Sequence, residues 1–555
     1  MKFKILNTNT NKNLIDRLLE NRKIDYKKKE EFLNPSWKNN WNDPFLFEDM
    51  EKAVERIKKA IKNNEKIIIF WDYDADGITA SYVLAYFIEH FLKYKNIEVV
   101  LANRQIGYWL QPQYIDIMDN KPSLIITVDN WITSVEAVEY AKKLWIDVII
   151  TDHHEPQDKL PDAFAIINPK VSKTYPFKDL AWVGVAFKLV SAFVQKFNFS
   201  KEEKEKIINY FIPIVAIWTV TDVMPLVWEN RLFVKKWLEI MNDVINRPLN
   251  IRGLMSYLRI ENINTYHLWF IIWPRLNASW RMDIPDDAFY AIYHHNFDEQ
   301  FPYLNKIESF NKKRQEEQEK ILDDVERKLN FEDKILIAGW EYREWIVWII
   351  AWKLTERYHK PAIIMSINKE TWEVVWSCRS PSYFSIIDML EYLWWKGILE
   401  KYGGHKQAGW FSLSIDKLKE FKKAVKEYEK KINDEDLKKT IIIDTILTKE
   451  DILSKSIEKI PLLEPFWVWN YKPTFILKNV IVKEINFFWI FWKKEQHAKI
   501  KGEKDWVEIN LLKRNWAEEF NLIKEWESID VVVDYTKDDY NWGFYFTIIE
   551  IIYDQ

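Results

Sequence analysis

The sequence predicts an α/β protein: a doubly wound parallel sheet, a second and smaller α/β domain, and a C-terminal β-barrel of OB-like size. Three observations lead there. Apolar runs of strand length alternate with helix-spaced segments from about residue 50 to residue 154, the rhythm of βαβ units whose strands are buried on both faces. The alternation resumes at Lys334-Ile335-Leu336-Ile337-Ala338 and continues through Trp376-Ser377-Cys378. From about Thr440 short β-rich runs replace it, among them 474–477, 507–512 and 544–552, and these suit a small barrel.

In chain order, residues 1–44 are polar and basic and read as an N-terminal extension laid over the domain that follows. Met50, Ala53, Val54, Ile57, Ala60 and Ile61 recur at helical spacing and lead into the strand Ile67-Ile68-Ile69-Phe70-Trp71. Helix patterns at 78–92 and 134–144 and strand patterns at 97–102, 123–128 and 148–151 complete the first sheet. We assign residues 45–240 to this domain, 241–330 to a helical region, 331–435 to the second α/β domain and 436–555 to the barrel. The charged run 310–329 reads as a solvent-facing helix bridging two domains.

At 555 residues the chain exceeds a single core. Its formal charge of -4, from 80 basic and 84 acidic residues, provides no global field for nucleic acid, so such a surface must be a local patch. One cysteine, Cys378, rules out an intramolecular disulfide. No apolar segment of signal-peptide or membrane-spanning type is present, and a soluble cytoplasmic protein is expected.

Tryptophan is abundant and glycine scarce: 30 against 11. Together they make 41 of 555, close to the roughly 7% that glycine alone ordinarily reaches. Trp145 follows a helix pattern ending Lys142-Lys143-Leu144 and precedes the next strand at once, the left-handed slot that glycine favours. We infer that most of these tryptophans are UGA codons which the source organism reads as glycine. The nucleotide sequence tests this: UGG codons at these positions would end the idea.

Three of the first sheet's apolar strands end in acidic or histidine-bearing residues. Asp72-Tyr73-Asp74-Ala75-Asp76-Gly77 follows the first, Asp129-Asn130 the next, and Asp152-His153-His154 the third. Right-handed crossovers place these tips on one sheet edge, and carboxylates so close repel unless a cation sits between them. Asp222, after a helical run, can supply a further carboxylate. A divalent-metal centre is the reading. Two other segments suit phosphate: Pro274-Arg275-Leu276-Asn277-Ala278-Ser279-Trp280-Arg281, which recoding turns into a glycine-flanked loop, and Gly403-Gly404-His405.

With these residues in view, the chain resembles the DHH phosphoesterase superfamily and, within it, the RecJ family of single-strand-specific exonucleases. Besides the acidic tips, the carriers are Thr221-Asp222-Val223-Met224-Pro225-Leu226, the Pro274–Ala278 segment, Arg379-Ser380, Gly403-Gly404-His405 and Pro465-Phe466-Trp467-Val468-Trp469-Asn470. Members carry glycine where this chain has Trp71, Trp131, Trp182, Trp228, Trp273, Trp280, Trp345, Trp348, Trp376, Trp410, Trp467 and Trp469, which agrees with recoding.

The resemblance implies a DHH catalytic domain, a DHH-associated substrate-binding domain and an OB-fold. It implies two ions, Mn2+ or Mg2+, with Asp74 and Asp76 on different ions, Asp129 bridging, His153 and Asp222 completing one site and Asp72 serving the other. His154 would contact the scissile phosphate or act as an acid, with Asp152 behind it. Arg275, Asn277, Arg281, Arg379, Ser380, Gly403, Gly404 and His405 would hold the strand's backbone or 5′ end, and the barrel would extend the track, with Phe475, Phe487 and Phe488 as candidate stacking surfaces. The implied activity is 5′-to-3′ degradation of single-stranded DNA in repair and recombination. A monomer is expected, with a single-strand-binding protein and a RecQ-type helicase as partners. Two rivals remain open here: a phosphodiesterase for short oligoribonucleotides or cyclic dinucleotides, and a scaffold that has lost its metals.

Overall fold

The structure, a computed structural model, describes residues 2–71, 75–101, 111–118, 121–129, 132–156, 159–245, 247–281, 285–294, 296–367, 373–490, 495–514, 523–538 and 543–552. The chain divides into two units, one of Met1–Lys4 and Ser309–Ile442, the other of Ile5–Glu308 and Ile443–Gln555.

After a short strand β1 (Lys2–Asn7), the second unit holds a five-stranded sheet of β2 (Ile67–Trp71), β3 (Ile97–Leu101), β4 (Leu124–Val128), β5 (Asp147–Thr151) and β6 (Ala165–Ile167). All pair in parallel in the order β3-β2-β4-β5-β6, so the order reverses between β2 and β4. Alternate side chains serve opposite faces. Ile67, Ile69, Leu124, Ile126 and Ile149 pack beneath helices that include Met50–Lys62, Trp182–Lys196 and Lys201–Thr221, whereas Ile68, Phe70, Ile125, Val148 and Ile150 meet Tyr114, Ile115, Ala137, Val138 and Ala141. Coverage of both faces explains why these strands read as unbroken apolar runs.

The first unit's sheet contains β7 (Leu336–Trp340), β8 (Ala362–Ile367), β9 (Glu373–Arg379), β10 (Lys401–Gly404) and β11 (Ala408–Ser414), in the order β10-β11-β9-β8-β7. Only β7 and β8 pair in parallel. The helix Glu344–Tyr358 covers one face and the helices Ile386–Trp395 and Leu418–Tyr428 the other.

The C-terminal strands are β12 (Thr440–Ile446), β13 (Thr474–Ile490), β14 (Glu495–Lys504), β15 (Val507–Lys513), β16 (Ser528–Asp538) and β17 (Gly543–Ile552). The order β13-β14-β15-β17-β16 closes through a β13–β16 pairing, which makes a five-stranded barrel without a free edge. Phe475 is in the barrel core, whereas Phe487 and Phe488 are exposed; Phe488 stacks on His497 at 5.2 Å.

Two local expectations are corrected. The segment expected as a phosphate loop is a helix, Trp273–Arg281, which continues without a break from the π-helical turn His267–Ile272, with Pro274 at the junction and tryptophans at the glycine positions. The N-terminal extension does not lie over the parallel-sheet domain alone. Leu14, Ile15, Leu18 and Leu19 of the helix Leu14–Asn21 enter the barrel core, and Arg17, fully buried, pairs with Asp451. Trp37 and Trp41 pack instead on Phe233, in the core beside the parallel sheet.

Five tryptophans have the backbone conformation that favours glycine. Trp145, Trp228, Trp469, Trp506 and Trp526 all have φ between 46° and 72°, the left-handed region. Trp145 ends the helix Val135–Lys143 with N–H donated to the Lys142 carbonyl, while Ile146 N–H reaches the Ala141 carbonyl, a Schellman closure whose central residue is normally glycine. Asp505-Trp506, at φ 50° and 72°, forms the two-residue turn between paired Lys504 and Val507, the slot that Asp-Gly fills in hairpins. The indole N–H groups of Trp71, Trp182, Trp218, Trp237, Trp376 and Trp467 are buried without an acceptor among the described residues, although a buried tryptophan usually finds one.

Candidate metal centre and substrate-contact residues

Asp129 ends β4 at φ 58°, a conformation that aspartate tolerates better than most residues, and its N–H donates to the Thr151 carbonyl. β5 ends one residue before Asp152, whose own N–H donates to the Ile167 carbonyl of β6. The sheet thus sets the two tips side by side. Asp222 caps the helix Lys201–Thr221, with Val223 turning at φ 56°.

His153 lies between two carboxylates: its Nε2 is 3.6 Å from Asp129 Oδ1 and its Nδ1 is 3.8 Å from Asp222 Oδ2. His154 Nδ1 is 3.8 Å from Asp129 Oδ1. Such separations are too long for hydrogen bonds, and those of His153 match a ring nitrogen and a carboxylate oxygen on one ion, which sit roughly 3–4 Å apart when each is about 2.0–2.3 Å from the metal; His154 Nδ1 is instead given to Asp152. His153 Nδ1 is buried without a hydrogen bond among the described residues. Burial and the adjoining His154 push the His153 imidazole down to about 3, so it is neutral and ready to ligate. Asp129, His153 and His154 bring ligand atoms within 4.8 Å of one another, and this donor set fits a divalent ion of the Mn2+ or Mg2+ kind.

Asp152 is fully occupied by donors of its own turn and of the loop after β4. Oδ1 accepts the N–H groups of His153 at 2.7 Å and His154 at 3.0 Å and the His154 Nδ1 at 2.8 Å; Oδ2 accepts Ile132 N–H at 3.1 Å. Burial pushes its carboxyl up, but these bonds to His154 outweigh it and hold the pKa below the usual value. The ring of His154, half-exposed, is therefore fixed through Nδ1 and directs Nε2 away from Asp152. Sequence reading overlooked Asn168, a buried side chain that donates Nδ2 to the His154 carbonyl at 3.0 Å and accepts Lys170 N–H. Its only signal is a polar residue at the end of an apolar strand.

Asp72 and Asp74 lie outside the described residues, as do the side chains of Asp76 and Arg281. Arg275 pairs with Glu308 at 2.6 Å and donates to the Ile271 carbonyl, and Asn277 beside it is half-buried. In the other unit five expected residues converge at one sheet end. Arg379 pairs across the ladder with Ala408, Ser380 N–H donates to Gln407, and His405 N–H donates to the Ala408 carbonyl in the tight turn after Gly403-Gly404. Gly404 has φ 138°, and a Cβ there would lie 2.4 Å from the Ala408 carbonyl oxygen. Ser380 is buried and its hydroxyl is spent on the Phe384 carbonyl. Arg379 donates to the Cys378 carbonyl, and burial lowers its pKa. No carboxylate forms an ion pair with it among the described residues.

The N-terminal domain of the DHH family matches residues 66–217, and the RecJ OB domain matches residues 443–543. The chain is 34% identical over 395 residues to the single-stranded-DNA-specific exonuclease RecJ of Escherichia coli (strain K12), with 67% of each chain covered. It is 32% identical over 456 residues to that of Bacillus subtilis (strain 168), covering 80% of this chain; it spans 56% of that relative's length. Among solved structures, RecJ from Thermus thermophilus in complex with Mn2+ superposes with a TM-score of 0.79 over 98% of this chain and 76% of that one, at 20% identity, a likeness of fold. The parallel sheet with its Asp-His-His tip, the closed C-terminal barrel and these matches place the chain in the RecJ family of the DHH superfamily.

Proposed function

We propose that this chain is a metal-dependent exonuclease that degrades single-stranded DNA from the 5′ end. The observation that carries the reading is His153 held between Asp129 and Asp222 at 3.6 and 3.8 Å, beside His154. The names of its relatives and the closed barrel support a long single strand as substrate, rather than a cyclic dinucleotide or an oligoribonucleotide. The intact ligand set speaks against a metal-free scaffold.

Two ions would be held by Asp129, His153 and Asp222 together with Asp72, Asp74 and Asp76. When bound, they supply Lewis-acid activation of water and charge neutralisation at the phosphorus. The chain's own residues do the rest. Asp152 fixes the imidazole of His154 through Nδ1, so that Nε2 can donate to a phosphate oxygen or to the leaving 3′ oxygen. Neutral His153 binds without first losing a proton. Arg379, with the turn at Gly403-Gly404-His405, offers a cation and backbone N–H groups to a phosphate, a contact that fixes register without reading sequence. Arg275 and Asn277 can join only if Arg275 exchanges Glu308 for phosphate. The reading carries with it a monomer in the cytoplasm, working with a single-strand-binding protein and a RecQ-type helicase. Among the described residues no helix is long and apolar enough to cross a membrane.

The test is degradation of end-labelled single-stranded and duplex DNA with Mn2+. Mononucleotide release from the 5′ end of single strands alone is expected, with loss of activity in Asp129→Ala and loss of Mn2+ binding by calorimetry. Attack on duplex, or activity that survives Asp129→Ala, refutes the proposal.

A further inference from the structure

Glu229, Asn230 and Arg231 open the helix Trp228–Asn242, and all three are fully buried. Successive helix positions lie about 100° apart, so three adjacent buried polar groups must reach three different neighbours. Glu229 accepts the side chain of Asn42 at 2.8 Å and binds Tyr175 and Lys188. Asn230 donates to the carbonyls of Asp179 at 2.6 Å and Pro225 at 3.2 Å. Arg231 donates through Nε to the Phe32 carbonyl at 2.7 Å and through Nη2 to the carbonyls of Leu463 at 3.0 Å and Glu464 at 2.9 Å. Its guanidinium also lies 4.0 Å from the Phe32 ring centroid.

No carboxylate forms an ion pair with Arg231 among the described residues. A buried cation met mainly by carbonyl dipoles and one aromatic ring is costly, and here it joins three separate stretches of chain. Asn470 grips the same loop, donating to the Leu463 carbonyl at 2.7 Å and the Pro465 carbonyl at 2.8 Å. The loop in turn touches the catalytic side: Leu226 N–H donates to the Val468 carbonyl at 3.2 Å, and the Thr265 hydroxyl to the Phe466 carbonyl at 2.8 Å. Leu226 comes four residues after Asp222, and Asn470 four residues before β13, where the barrel begins.

We propose that Arg231 is a positioning residue for cleavage of long strands: it fastens loop 462–470 to the segment that carries Asp222, so that barrel and metal centre present one fixed track. A strand held at both places gains most affinity when their spacing is stiff and matches its span, so loosening the joint penalises long substrates and spares short ones. The inference rests on the nuclease reading above.

The test uses the full chain with Mn2+ and two 5′-phosphorylated thymidine substrates: a trinucleotide, and a strand of roughly 30 nucleotides, which exceeds the footprint of about 4–16 that one OB-fold covers. Arg231→Gln is expected to leave trinucleotide turnover within about twofold. The same variant is expected to raise KM for the long strand by about tenfold or more at unchanged kcat, with Arg231→Lys restoring most of it. Asn470→Ala loosens the joint from the other side and carries the test if Arg231→Gln does not fold. Equal losses on both lengths, or none on either, overturn the proposal. If neither the unsubstituted chain nor the chain with glycine restored at its tryptophans cleaves either substrate, the nuclease reading fails and this inference falls with it.

Discussion

Replacing Trp145 by glycine should stabilise the protein, against the usual direction for loss of a large aromatic. The indole is 93% exposed, so its removal forfeits almost no burial. The backbone at φ 61° is left-handed, which costs a residue bearing a Cβ about 1–2 kcal/mol. Glycine escapes that cost but brings a floppier unfolded chain, which returns about 0.4–1 kcal/mol. The net expectation is a gain of about 0.5–1 kcal/mol. Trp506 is 87% exposed at φ 72° and should behave alike. Trp526 should gain less, because Lys483 lies 4.6 Å from its ring centroid. These sites are in separate turns, so the effects should add. Urea unfolding with a constant slope provides the measurement, and Trp145→Ala is the control, since alanine removes the indole but keeps the strained Cβ. If Trp145→Ala and Trp145→Gly have the same midpoint, or the glycine variant is the weaker, backbone strain is not what distinguishes this position and the recoding argument loses its structural support.

Asp152→Asn should lower turnover far more than Mn2+ affinity, because Asp152 orients His154 and is spent on its own turn, whereas Asp129→Ala should abolish Mn2+ binding; calorimetry beside kinetics separates the two. Lys188→Met should destabilise the chain by about 3–5 kcal/mol, since it strands the fully buried Glu229 carboxylate, and adding Glu229→Leu should recover much of that loss in denaturant unfolding. Burial pushes the Glu48 carboxyl up, but the Ser172 hydroxyl and the N–H groups of Lys173 and Thr174 outweigh it and lower it from 4.5 to about 2. A carboxyl so depressed contributes stability that is present above its unfolded value and lost as the pH falls toward about 2. Glu48→Gln should therefore weaken the fold at pH 7 and flatten the acid limb of its stability curve, read as urea midpoints across that range.

The cluster of Asp129, His153 and His154, the candidate metal site, was legible because a buried parallel strand writes itself as an apolar run, and because crossovers of one hand put successive tips on one edge. Asp129, Asp152, His153 and His154 could be brought together from spacing alone. The partners of buried polar groups could not: Asn42 and Glu229 meet across 187 positions, and Arg231 meets Phe32 across 199, which no local pattern encodes. The same holds for Glu308, which occupies the arginine expected to hold phosphate. The segment Trp273–Arg281 differs in kind. It was expected as a loop because glycine was expected at 273 and 280, and it is a helix in a chain that carries tryptophan there. Glycine in a helix interior costs up to about 1 kcal/mol relative to alanine, so a chain with glycine restored at both positions holds this helix less firmly. Freed at its ends, the segment could approach a phosphate closely and release Arg275 from Glu308. Phosphate affinity should rise when both glycines are restored, and unchanged affinity would show that tryptophan is not what keeps this segment helical.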